Sequence, residues 1–288
     1  MRPHPPLLVL LAALLPAVMG VGAGASERPP QRVVSLNLCG DEQLLRLADR
    51  EVIASVTFLA ADPLFSSVID RAKGLPLNHG KAEEIVPLQP DLVIAEPYTA
   101  RNAVRFLQRL DVPLLELPVP TTFEEVYRQI EQLAQALGQE ERGRKLVEDM
   151  QRRLAALGPP PPGPRPLAAV YQPNGFLIGP GTLVHEVLTR AGLRNLATEA
   201  FQDHNGPLPV EMLLWHRPDL LILNHDEEAP VSLAHAILHH PALQQAFSEM
   251  HRVVIHPSLW TCGGPGLVEA TEILRKAVLE LQQAEAAQ

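Results

Sequence analysis

"EEIVPLQPDLVIA", residues 83–95, is answered later in the chain by "EMLLWHRPDLLIL", residues 211–223. In each, a glutamate stands seven residues ahead of a proline, and Asp-Leu and further apolar residues follow. Proline cannot continue a helix, so each stretch reads as a short helix stopped by a proline turn that leads into a buried strand. The unit falls in the later half of each part of the chain. Two similar α/β lobes are the organisation this echo predicts.

The neighbouring sequence extends the pattern. Apolar, β-branched runs occur at "RVVSLN" (32–37), "VIASVT" (52–57), "DLVIAE" (91–96) and "PLLELP" (113–118), and again at "PLAAVYQ" (166–172), "DLLILN" (219–224) and "RVVIHP" (252–257). Such runs, apolar on both faces and separated by helix-like patterns, predict parallel sheets covered by helices. Residues 122–157 read as helical with a break at Leu137-Gly138, and Leu146, Met150, Leu154 and Leu157 share one face of the second half. "GPPPPGPRP" (158–166) ends that helix. The fold class is therefore α/β, with two lobes, each a parallel sheet flanked by helices, joined by a single long helix. The expected boundaries are an N-terminal lobe at 26–138, a linking helix with its proline-rich segment at 139–165, and a C-terminal lobe at 166–288.

At the N-terminus, Arg2, the apolar stretch Leu7 to Met19 and the small residues Ala23-Gly24-Ala25 form the pattern of a cleaved secretory signal. Residues 1–25 are expected to be removed, leaving a soluble protein exported to the periplasm. No cysteine stands near the cleavage point, so a lipid anchor is not expected there. Removing a segment with one arginine and no acid takes the formal charge from −9 to −10. An acidic chain without basic runs argues against nucleic acid as a partner.

The two cysteines, Cys39 and Cys262, each follow an apolar run and precede a glycine. Three readings stand side by side: one disulfide, as an exported chain permits; two thiolates at helix starts, available as soft metal ligands; or inert packing. Among eleven histidines, His79, His204, His225 and His256 fall near strand ends, but no spacing typical of a metal site appears, and none is predicted.

Five stretches, in order, carry a resemblance: "RVVSLNLCGDEQLLRLA" (32–48), "AEEIVPLQPDLVIAE" (82–96), "GTLVHEVLTRAGLRNLA" (181–197), "LPVEMLLWHRPDLLIL" (208–223) and "HPSLWTCGGPG" (256–266). Together they resemble the periplasmic substrate-binding proteins of ABC importers for vitamin B12, iron–siderophores and haem. The resemblance implies a non-enzymatic monomer without an intrinsic cofactor. It would capture a metal chelate or corrinoid between its lobes and deliver it to an inner-membrane permease. Cobalamin is favoured over an iron–siderophore or haem, because the cleft candidates are mostly neutral and apolar.

In open parallel sheets ligands bind beyond the carboxyl ends of strands. That rule, with the resemblance, nominates Cys39, Gly40, Phe58, Tyr98, Asn174, Trp260, Cys262 and Gly263 as ligand-binding, with Cys39 and Cys262 as a possible disulfide. A core residue is the alternative for Trp260, but the neighbouring glycines leave it little to pack under, so cleft-lining is favoured; the glycines could serve only tight turns. Glu83 and Glu211 open their helices, where a carboxylate is favoured by the helix dipole. The resemblance implies a second role for them, docking onto arginines of the permease. Two alternatives from other classes are an exported α/β enzyme using Cys262 and a binder of free metal ions. No G-x-S-x-G or paired-carboxylate pattern supports the first.

Overall fold

A computed structural model describes residues 28–201, 205–224, 233–247 and 251–287. The expected signal segment, His204 and His225 lie outside the described residues. The first sheet holds β1 (Val33–Ser35), β2 (Ile53–Thr57), β3 (Leu77–Asn78), β4 (Leu92–Ala95) and β5 (Leu114–Glu116). Every pairing is parallel, in the order β3-β2-β1-β4-β5. Its helices are α1 (Leu38–Leu47), α2 (Ile69–Ala72), α3 (Ala82–Ile85) and α4 (Arg101–Arg109).

The chain then crosses to the second lobe through α5 (Phe123–Leu137) and α6 (Glu140–Ala156). Thr122 caps α5 by accepting from the Glu125 amide, and Gly138, at φ 65°, ends it in the left-handed conformation that glycine adopts without strain. The second lobe contains β6 (Leu167–Gln172), β7 (Phe176–Leu177), β8 (Arg194–Asn195), β9 (Gly206–Pro207), β10 (Leu220–Asn224) and β11 (Arg252–Ile255). Its helices are α7 (Leu183–Ala191), α8 (Leu196–Phe201), α9 (Val210–His216), α10 (Pro241–Ala246) and α11 (Pro265–Ala286).

The three strands expected here, β6, β10 and β11, pair in parallel, and β8 joins β6 in the same sense. The sequence reading did not anticipate β7 and β9, which run antiparallel to β6 and β7 respectively. The chain reverses at Pro173-Asn174-Gly175, where Asn174 and Gly175 both take positive φ. The second sheet is mixed for that reason.

Side chains alternate across both sheets. Val33, Leu92 and Ile94 of the first, with Ala168, Val170, Leu220 and Ile222 of the second, join one apolar cluster. Phe123, Ile130 and Leu133 of α5, Val147 and Met150 of α6, and Leu267 and Leu274 of α11 complete it. The intervening residues face the other way. Val34, Val93 and Ala95 pack with α3 and α4, while Ala169, Tyr171, Leu221 and Leu223 pack with α8, α9 and α10. The lobes therefore share a core through the connecting helices. Arg275 of α11 fastens the proline-rich segment to it, donating to the carbonyls of Leu157, Pro159, Arg190 and Ala191 at 2.7–3.0 Å.

The sequence echo is a structural one. Gln89 (φ 46°) and Arg217 (φ 47°) end their helices in the same left-handed turn before the shared proline. The aspartate that follows brackets the start of the neighbouring strand. Asp91 accepts from the Gln31 and Arg32 amides at 2.7 and 2.8 Å, and its own amide donates to the Arg32 carbonyl at 3.1 Å. Asp219 accepts from the Leu167 amide at 2.7 Å and donates back to the Leu167 carbonyl at 2.8 Å. One local device thus sets the register of β4 against β1 and of β10 against β6.

Candidate ligand-binding cleft

Cys39 lies in the first turn of α1 and Cys262 just before α11, so the two sulfurs come from opposite lobes. They are bonded to each other, with Cα atoms 5.1 Å apart across a sequence separation of 223 residues. Neither sulfur is a thiolate here, which removes both the soft-metal-ligand reading and the nucleophile on which the enzyme alternative rested. Among the described residues no cluster of three His, Cys, Asp or Glu is placed to hold a metal ion.

Beside the bridge, a cavity of about 390 Å³ opens between the lobes. Val119, Pro120 and Thr121, which follow β5, form one wall; Gln172, Phe176, Ile178, the start of α7, Asn205, Trp260 and Thr261 form the other. Trp260 lines it but is only 3% exposed, so it presents little of its ring. A larger groove of about 950 Å³ runs along the first lobe between α3 and α4, where Tyr98, Glu83, Val86 and Phe106 line it. Tyr98 is 78% exposed. Phe58 stacks on His79 at 5.0 Å beyond the ends of β2 and β3.

Other nominated residues have structural duties. Gly40 does not offer its amide to a ligand, because it donates to Asn37 Oδ1 at 2.8 Å in the N-cap of α1. A Cβ there would lie 2.5 Å from that oxygen, so the glycine is required for α1 to seat on the sheet. Gly263 is buried against α5, and a Cβ would meet Val126 at 2.7 Å. Its lack of a side chain permits the lobes to pack closely here. Asn174 is an exposed turn residue whose amide donates to the Ala234 carbonyl at 2.8 Å; its neighbours Gln172 and Phe176 reach the cavity instead. Glu83 and Glu211 are exposed in the first turns of α3 and α9, and neither is ion-paired to a described residue.

The floor of the first lobe is polar. Asp41 of α1 is fully buried and accepts from the Thr57 amide at 3.1 Å and from the Thr57 hydroxyl. Burial pushes its carboxyl up to about 6, against the opposing pull of hydrogen bonds from Thr57 and Ser35. Asn78 ties the strand ends together, donating to the Ser35 carbonyl at 3.0 Å and to Ser55 Oγ at 2.9 Å. Just above, Asn37 Nδ2 is buried without a hydrogen-bond partner. Burial also raises the Glu96 carboxyl.

Sequence reasoning missed the wall after β5 and the β7 ribbon. The carboxyl-end rule applied to "PLLELP" would have found Val119 to Thr121. The Pro-Asn-Gly turn was the available signal for Phe176 and Ile178.

The family description "Periplasmic binding protein" matches residues 33–258. A cobalamin-binding protein of Halobacterium salinarum is 26% identical over 202 residues, covering 68% of this chain and 54% of that one, so the chain spans about half the length of this relative. The fold superposes on the periplasmic vitamin B12 binding protein BtuF of Vibrio cholerae with a TM-score of 0.68 at 19% identity, covering 88% of this chain and 99% of that one. It superposes on a periplasmic heme binding protein of Pseudomonas aeruginosa with a TM-score of 0.69 at 22% identity, covering 86% and 92%. With the match running from β1 past β11 and through both lobes, this chain belongs to the periplasmic binding protein family.

Proposed function

We propose that this chain is the solute-binding component of an ABC importer, that it captures a corrinoid between its lobes, and that it delivers the ligand to a permease without chemical conversion. The observation that carries the corrinoid reading is the cavity beside the bridge. None of its lining residues among those described is charged, and most are apolar, with Thr121, Gln172, Thr182, Asn205 and Thr261 as its polar residues. Pockets of this composition hold a neutral body by its apolar faces and orient it by a few hydrogen bonds. An anionic ferric chelate would call for cations there. The cobalamin-binding relative supports the same reading.

Titration of the exported protein with cyanocobalamin, hemin and a ferric hydroxamate, followed by calorimetry, tests it. Saturable one-to-one binding of cyanocobalamin, tighter than either competitor, is expected. Tight binding of hemin or the ferric chelate with none of cyanocobalamin would overturn it.

Glu83 and Glu211 are the docking residues in this reading, one on each lobe, since surface charge chiefly guides orientation and encounter. Glu83→Lys with Glu211→Lys should leave cyanocobalamin affinity unchanged and abolish uptake in cells. Undiminished uptake would remove the docking role.

A further inference from the structure

Helices α3 and α4 cover the face of the first sheet turned away from the core that the lobes share. The groove of about 950 Å³ between them is therefore on the outside of the lobe. Val86, Tyr98 and Phe106 line it with exposed side chains. Lys81 and Glu83 stand on its α3 side and Arg101 on its α4 side. An apolar patch of this kind, rimmed by charge, is the anatomy of a contact with another protein.

The outer face of α4 is also out of balance. Arg101, Arg105 and Arg109 recur every fourth residue and form one exposed ridge along the helix. Among the described residues none of them is ion-paired, and Arg105 alone makes a hydrogen bond, donating to Asn102 Oδ1 at 2.7 Å. Like charges at this spacing repel one another, so the ridge weakens α4. Helix α6 treats the same residue type in the opposite way, pairing each of Arg142, Arg144, Arg152 and Arg153 with a carboxylate. In a chain of formal charge −9 carboxylates are plentiful, and the α4 ridge engages none that is described.

We infer that the groove and the α4 arginine ridge form the first lobe's docking surface for a periplasmic segment of the importer's permease. That segment places apolar side chains in the groove and sets carboxylates against Arg101, Arg105 and Arg109. This rests on the function proposed above and extends the contact beyond Glu83. Charge complementarity argues for such an occupant. Acids on one flank of the segment meet the arginines and a base on the other meets Glu83, so the two signs fix which way round it lies. Arginine and aromatic side chains are also the types that carry most binding energy at protein contacts. A bilayer surface is too flat to enter a groove, and the chain's net negative charge opposes adsorption to anionic lipid.

The test exchanges the protein for variants in its native host and compares uptake of labelled cyanocobalamin with the affinity of each purified variant for it. Arg105→Glu with Arg109→Glu should lower uptake about tenfold or more while affinity and melting temperature stay at wild-type values. Arg105→Lys with Arg109→Lys keeps the charge and should retain uptake to within about threefold. Phe106→Ala should lower uptake by about threefold or more. Arg144→Glu with Arg152→Glu, on α6, should leave uptake unchanged. A merely structural role for the ridge would move the melting temperature, and the lysine variant would not then rescue transport. Undiminished uptake in the glutamate variant overturns the surface while the proposed function survives. Binding of the wild-type protein to protein-free phosphatidylglycerol vesicles, lost in the glutamate variant, would assign the ridge to lipid and overturn it as well. Uptake that does not depend on the chain at all removes the proposed function and the surface with it.

Discussion

The two lobes use the same helix–turn–strand device and finish their strand ends differently. In the first, every strand is parallel and the carboxyl ends stand over buried polar groups: Ser35, Asn37, Asp41, Thr57 and Asn78. In the second, the chain folds back through β7 and β9 and presents Phe176, Ile178, Leu183 and Val184. The repeat, with its left-handed residue, proline and bracketing aspartate, fixes the scaffold twice. The segments beyond the strand ends are free of that constraint, and there the lobes diverge into a polar floor and an apolar wall. A ligand held between them must satisfy both.

The largest expected effect comes from cutting the covalent tie between the halves. Cys39→Ser with Cys262→Ser should destabilise the protein by about 3–5 kcal/mol, because the bridge closes so long a loop. Chemical denaturation should still show one cooperative transition, since both lobes share the cluster that runs from Val33 to Ile222. Two separate transitions would mean that the halves are more independent than that core implies.

A smaller effect sets the polar floor apart. Asp41 holds its proton more tightly when folded, with a carboxyl value of about 6 against an ordinary 3.8. Protonation therefore stabilises the fold; that gain is complete below the unfolded value and is lost as the pH rises through about 6. Lowering the pH from 7 to 4 should stabilise the wild type relative to Asp41→Asn by roughly 2–3 kcal/mol. Parallel pH profiles from thermal melts of the two proteins would contradict this.

The smallest effect weighs the repeat itself. Asp91→Ala removes two charge-assisted bonds to backbone amides, and Asp219→Ala removes one. Both sites are near the surface, so losses of about 2 and about 1 kcal/mol are expected, in that order. Denaturation midpoints that reverse the order would show that the two brackets are not equivalent devices.

Much of this architecture was legible in residue order. The apolar runs became β1, β2, β4, β5, β6, β10 and β11, and the repeated Pro-Asp-Leu became the same turn twice, because backbone conformation at proline and burial of apolar runs are local facts. The pairing of Cys39 with Cys262 was one of three readings, since distance across the cleft is not written in either segment. The packing duties of Gly40 and Gly263 were not legible for a related reason. What a missing Cβ makes room for depends on Ile94 or Val126, which approach from elsewhere in the chain. Trp260 reads as cleft-lining in sequence and lines the cavity while almost wholly buried, because its burial depends on packing that the sequence does not display.

Amide hydrogen exchange with and without cyanocobalamin tests the account most directly. Ligand should slow exchange at 119–121, 176–184 and 258–262, on both sides of the bridge, and leave α3 and α9 unchanged. Protection confined to one lobe, or centred on α3 and α9, would contradict a ligand held between the two halves.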